Sequence, residues 1–73
     1  MTKEEFFVEM QDVLQTDDVL TAETALVDLA EWDSLSMMAT MAFLGKKFGV
    51  EVTIADLMAF ATIGDIAAAA GLK

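Results

Sequence analysis

Apolar residues recur along most of this chain at helical spacing. Phe6, Phe7, Met10, Val13 and Leu14 form one stripe opposite Glu5, Glu9 and Asp12, the pattern of an amphipathic helix. Thr2-Lys3-Glu4-Glu5 ahead of it fits a capping box, in which a hydroxyl and a carboxylate satisfy orphan amides. The spacing therefore predicts a first helix over about residues 3–15. A second stripe, Leu35, Met38, Met41, Leu44 and Phe48, widened by Met37 and Phe43, predicts another. Asp33 is suited to cap that helix, with Ser34 as its first residue. Lys46 and Lys47 suit the dipole at its far end, Gly49 is placed to terminate it, and Gly45 is a weak point inside it. After the brief extended connection Val50-Glu51-Val52, Thr53 with Asp56 opens a short helix, Ile54 to about Phe60. Thr62 with Asp65 opens a last one through Ile63, Ile66, Ala67 and Ala70, ended by Gly71.

Residues 16–33 read differently. Thr16, Asp17, Asp18, Thr21, Glu23 and Thr24 are turn and cap formers, while Leu20, Leu26, Leu29 and Trp32 are spaced as anchors into a core. A connection this long in a small domain is uncommon unless it is functional. No repeat, proline or low-complexity linker marks a second domain. The expected fold class is all-α: one domain over residues 1–73, a small four-helix bundle of three longer helices and one short one. A long ordered loop joins helices I and II.

Composition narrows the function. The 73 residues include 13 acids against 4 lysines and arginines, a net charge of −9, with no His and no Cys. Disulfides, thiolate catalysis and Cys/His zinc sites are excluded, as is an imidazole base for a nucleophile. The charge argues against a nucleic-acid partner. A hydrophobic fraction of 56% argues against disorder. The most apolar stretch, Leu35 to Leu44, is short for a membrane span, and the amino terminus has no signal-peptide pattern. These features point to a cytoplasmic monomer without membrane insertion, and the start methionine to a free-standing chain. Ten acids and one lysine fall in residues 1–33, whereas residues 34–73 are balanced at three and three. The acids lack the spacing of an EF-hand loop, so they read as solvated charge and no metal site is expected. No residue is assigned a catalytic role.

Asp33-Ser34-Leu35 is the segment that bears on chemistry. In one reading Asp33 only caps the helix, with Ser34 tolerated in the first turn. The alternative is that Ser34 carries a phosphate, which the free amides and positive dipole end of a helix start would favour. With no His to activate it, Ser34 would then be an attachment point decorated by another enzyme. Asp33, beside such a phosphate, would oppose it unless its role is to help that enzyme hold a metal ion.

The chain resembles the acyl carrier proteins, including the peptidyl carriers. The resemblance is most specific in Leu26-Val27-Asp28-Leu29-Ala30-Glu31-Trp32-Asp33-Ser34-Leu35, a loop ending in Asp-Ser-Leu. It continues through Phe48-Gly49-Val50-Glu51-Val52, Leu57 and Ala61-Thr62-Ile63-Gly64-Asp65-Ile66. It implies 4′-phosphopantetheine esterified to Ser34 by a phosphopantetheinyl transferase, with Asp33 and Leu35 flanking the site. Acyl intermediates would be carried as thioesters on the arm's thiol, in fatty acid, polyketide or another dedicated biosynthesis, between acyl- or aminoacyl-loading and processing enzymes. An aminoacyl or peptidyl carrier beside an adenylating enzyme, and an unmodified interaction module, are the alternatives. Leu35, Met38 and Ala42 are the expected partner contacts. Met41 and Met58 are expected in the core, and Trp32 as a loop anchor. One departure stands out: where the family presents acids along helix II, this chain has Ser36, Ala39, Gly45 and Lys46. A negative helix II cannot steer basic partners here, which favours a dedicated pathway over general fatty-acid synthesis.

Overall fold

Among the described residues, all four α-helices begin at capping pairs. The structure, a computed structural model, describes residues 1–72. In α1 (Lys3–Leu14) the Thr2 hydroxyl accepts the Glu5 amide, and the Glu5 carboxylate accepts the Thr2 amide at 2.8 Å. The same reciprocal box opens α2 (Ser34–Phe48), α3 (Ile54–Ala59) and α4 (Ile63–Ala69), through Asp33 and Ser36, Thr53 and Asp56, and Thr62 and Asp65 respectively. Each box satisfies two backbone amides that a helix start leaves without partners. The helices run 12, 15, 6 and 7 residues. At the end of α2, Gly49 adopts a φ of +65°, a left-handed conformation that glycine takes without strain, and the Val50 amide reaches back to the Leu44 carbonyl.

Phe6, Met10 and Leu14 from α1 meet Leu44, Leu57, Ile63, Ile66 and Ala67 in a single core. Phe6 is its aromatic hub, with the rings of Phe43 and Phe48 each centred 5.8 Å away. Of the α2 stripe, Leu44 is buried and Met41 and Phe48 pack against the core, while Leu35 and Met38 are exposed, as expected of partner contacts; Ser36 and Thr40, outside the stripe, also face inward. Two small polar residues can occupy that face because their hydroxyls bond locally: Thr40 Oγ1 donates to the Ser36 carbonyl at 2.8 Å and Ser36 Oγ to the Asp33 carbonyl at 2.9 Å. Buried hydroxyls satisfied within one helix cost little. Met58, expected inside, is also exposed; the interior contact of the six-residue α3 is made by Leu57.

The long loop is ordered by apolar anchors and by backbone pairing. Leu20, Leu26 and Leu29 are buried and Trp32 is half-buried. Gln11 Nε2 donates to the Asp18 carbonyl at 2.7 Å, tying the start of the loop to α1. Its middle is laced to the start of α4: Leu26 N–H to Ala61 O at 2.9 Å, Ile63 N–H to Thr24 O at 3.0 Å and Gly64 N–H to Ala22 O at 3.0 Å, around an antiparallel bridge between Ala25 and Thr62. Gly64 permits this approach, since a Cβ there would fall 2.6 Å from the Ala22 carbonyl oxygen. A 3-10 turn, Leu26–Asp28, then directs the chain through Leu29 and Trp32 to Asp33.

Candidate functional site

The loop delivers Asp33 and Ser34 to the mouth of α2. Asp33 is extended, and its Oδ1 accepts the Ser36 amide at 2.9 Å. The Asp33 amide donates to Ser36 Oγ at 2.8 Å, and the same hydroxyl donates back to the Asp33 carbonyl. Three hydrogen bonds between Asp33 and Ser36 thus fix the backbone on both sides of Ser34.

The sequence contains two serines, and the structure separates them completely. Ser36 is buried, with its hydroxyl committed to the cap; Ser34 is exposed at the first position of the helix. The capping box consumes the amides of Asp33 and Ser36, so the orphan amides at this end are those of Ser34 and Leu35. The first turns of α1, α3 and α4 each carry acids, whereas the first turn of α2 carries none and its last turn holds Lys46 and Lys47. Apart from Asp33, engaged at the cap, this is the helix start least opposed to a covalently held phosphate. Ser34 is exposed, so a group esterified there has room to project into solvent. The residues present fit a phosphate-linked arm.

Of the other residues singled out from the sequence, Leu35 is 76% exposed, Met38 is 60% exposed and Ala42 is exposed. With Ser34 they form one outward face of α2. Ser36, aligned above with the acids that the family presents to partners, points inward and cannot contact one. Ala39, Gly45 and Lys46 are exposed. Among the described residues no group of three or more acids is arranged to hold a metal ion, and no helix is long and apolar enough to cross a membrane.

Two concavities flank this face. A cleft of about 550 Å³ lies between the end of α1 and the start of α2, lined by Val13, Leu14, Gln15, Glu31, Asp33 and Leu35 among others. On the other side, a groove of about 380 Å³ runs between α2 and the segment before α3. Met38, Met41, Ala42, Gly45, Val50 and Val52 line it, with Glu51 its only charged residue. The residue pattern does not mark this groove beyond the glycine inside α2.

Comparison with known proteins agrees with this geometry. A family model described as phosphopantetheine attachment site matches residues 8–70. The solution NMR structure of holo acyl carrier protein from Geobacter metallireducens superposes with a TM-score of 0.76 at 28% sequence identity, covering 96% of this chain and 82% of that one. No curated protein matches the sequence.

Proposed function

The chain belongs to the phosphopantetheine-attachment family of acyl carrier proteins, and from that premise we propose that Ser34 is its attachment residue and that it serves a dedicated biosynthetic pathway. A protein of this family is a carrier and not itself a catalyst. Its prosthetic group, 4′-phosphopantetheine, supplies the thiol on which acyl groups are held as thioesters, a thiol this cysteine-free chain lacks.

The assignment to Ser34 is carried by one observation: of the two serines, Ser34 alone is exposed, while the Ser36 hydroxyl is buried in the cap. The other residues have positioning roles. Asp33 and Ser36 lock the first turn, so that the hydroxyl stands at a fixed place on a helix end. The amides of Ser34 and Leu35 provide the positive end of the dipole for the phosphodiester. Leu35, Met38 and Ala42 offer modifying and processing enzymes an apolar surface beside it.

The dedicated pathway is supported by α2 itself, which bears no acid between Ser34 and Phe48 and ends in two lysines. Recognition along this helix is apolar rather than electrostatic, so its partner enzymes need no basic patch opposite α2. Incubation with coenzyme A and a broad-specificity phosphopantetheinyl transferase is expected to add one phosphopantetheinyl group, absent in Ser34→Ala. Binding to a fatty-acid synthase partner that reads an acidic helix II is expected to be weak. Affinity equal to that of an ordinary acidic carrier would contradict the dedicated role.

A further inference from the structure

The outward side of α1 carries a surface that neither the core nor the Ser34 site uses. Val8 is 64% exposed and Val19, on the loop beside it, is 81% exposed. Both line a shallow groove of about 320 Å³ with Phe7, Leu20, Glu4 and Gln11, and an adjoining one of about 380 Å³ joins Val8 to Met1. Single exposed valines are ordinary; a joined apolar strip with a polar border marks a contact surface. The strip is also held in shape. Gln11 Nε2 donates to the Asp18 carbonyl at 2.7 Å and the Asp18 amide donates to Thr16 Oγ1 at 3.2 Å, which fastens the segment bearing Val19 to α1.

The border is acidic where the helix would gain from bases. Glu9 and Asp12 stand three residues apart in the second half of α1, whose last turn holds no basic residue. Like charges at that spacing repel, and acids near the carboxyl end oppose the helix dipole. Asp17 and Asp18 follow directly, and Lys3 is the one basic residue in 1–33. These acids work against α1 as a helix, and lysines or arginines brought by a partner would offset the repulsion. Helix α2 bears no acid, so attraction of a basic partner must come from α1 and the loop. A polar depression lined by Glu9, Asp12, Gln15 and Asp17 continues from Val8, and Gln15 also borders the cleft that Asp33 and Leu35 line. The surface thus ends beside the mouth of α2 without including Ser34.

We propose that this face of α1 is a docking surface for a basic, amphipathic segment of a partner protein. An apolar side chain of the partner seats against Val8 and Val19, while its lysines or arginines meet Glu4, Glu9 and Asp12. A second copy of this chain is a poor occupant, because the same face on it would set acids against acids. The contact is additional to the apolar recognition along α2 and does not depend on attachment at Ser34.

The test titrates the full chain with a synthetic amphipathic peptide of leucine and lysine, followed by amide NMR, with the peptide carrying glutamate in place of lysine as control. The largest shifts are expected at Val8, Gln11, Asp12 and Val19 rather than at Met38 and Ala42, and only with the lysine peptide. Val8→Thr combined with Val19→Thr is expected to weaken binding about tenfold, as for two methyl groups exchanged for hydroxyls. Glu9→Gln combined with Asp12→Asn is expected to weaken it about fivefold at low salt, as for two surface ion pairs, and to flatten its salt dependence. Both double variants are expected to keep the wild-type spectrum elsewhere, and the second to melt no lower than the wild type. Shifts centred on α2, equal binding of the glutamate peptide, or undiminished affinity in the valine variant would overturn the docking surface. A dimer of the free chain that the valine variant abolishes would also overturn it, assigning the face to a second copy. Failure of the transferase to modify the wild type would overturn the carrier reading and leave the peptide result standing.

Discussion

Ser34 and Ser36 are separated by one residue, and about 200° of helical rotation divides their fates. One projects into solvent; the other turns inward and spends its hydroxyl on Asp33. Ser34 was legible in the sequence because a capping acid, a serine and the start of an apolar run coincide there. The role of Ser36 was not, because a serine in the third helical position carries no mark of whether it faces the core or a partner. Its placement has a measurable consequence. Ser36→Ala removes the acceptor of the Asp33 amide and is expected to cost about 1–2 kcal/mol, read as a fall in melting temperature of roughly 4–8 °C per kcal/mol. An unchanged melting temperature would mean that the cap does not hold the site.

At the scale of elements, the mouth of α2 is set by a loop that is itself fastened to α4. The four apolar anchors and the four helix starts could be read directly, since each uses a residue type that announces its role. The lacing between Ala22–Leu26 and Ala61–Gly64 could not, because it is made of backbone amides and carbonyls that any residue possesses. The exposure of Leu35 and Met38 was legible, but the burial of Ser36 and Thr40 was not, because the helix is apolar over most of its circumference and small hydroxyl residues carry no mark of facing a core. Gly64 tests the lacing. Gly64→Ala improves helix propensity, yet it pushes a methyl group against the Ala22 carbonyl. A net loss of about 1–2 kcal/mol is expected, with faster amide exchange at Leu26 and Ile63. A stabilised variant with intact protection would contradict the packing described.

For the whole molecule the governing quantity is the net charge of −9, concentrated in residues 1–33. Like charges crowd α1 and the loop of a domain with a small core, so screening stabilises it. Added sodium chloride or Mg²⁺ is expected to raise the melting temperature, and a flat response to both would show that the repulsion is unimportant. Acid acts locally in the opposite sense at Glu5. The Thr2 backbone amide, and after it the Thr2 hydroxyl, hold that carboxyl below its ordinary value of 4.5. A depressed folded-state value means that the carboxylate stabilises the fold above 4.5 and loses that contribution as the pH falls through the lower folded value. NMR titration is expected to place the Glu5 midpoint below 4.5, and Thr2→Ala to return it upward.

The decisive property of this molecule is which hydroxyl accepts the prosthetic group. Peptide mapping by mass spectrometry, after reaction with coenzyme A and a phosphopantetheinyl transferase, answers that directly. The expected result is one phosphopantetheinyl group, localised to Ser34, with Ser36 unmodified and with no addition to Ser34→Ala. Modification of Ser36, or a chain that stays unmodified with its fold intact, would contradict it.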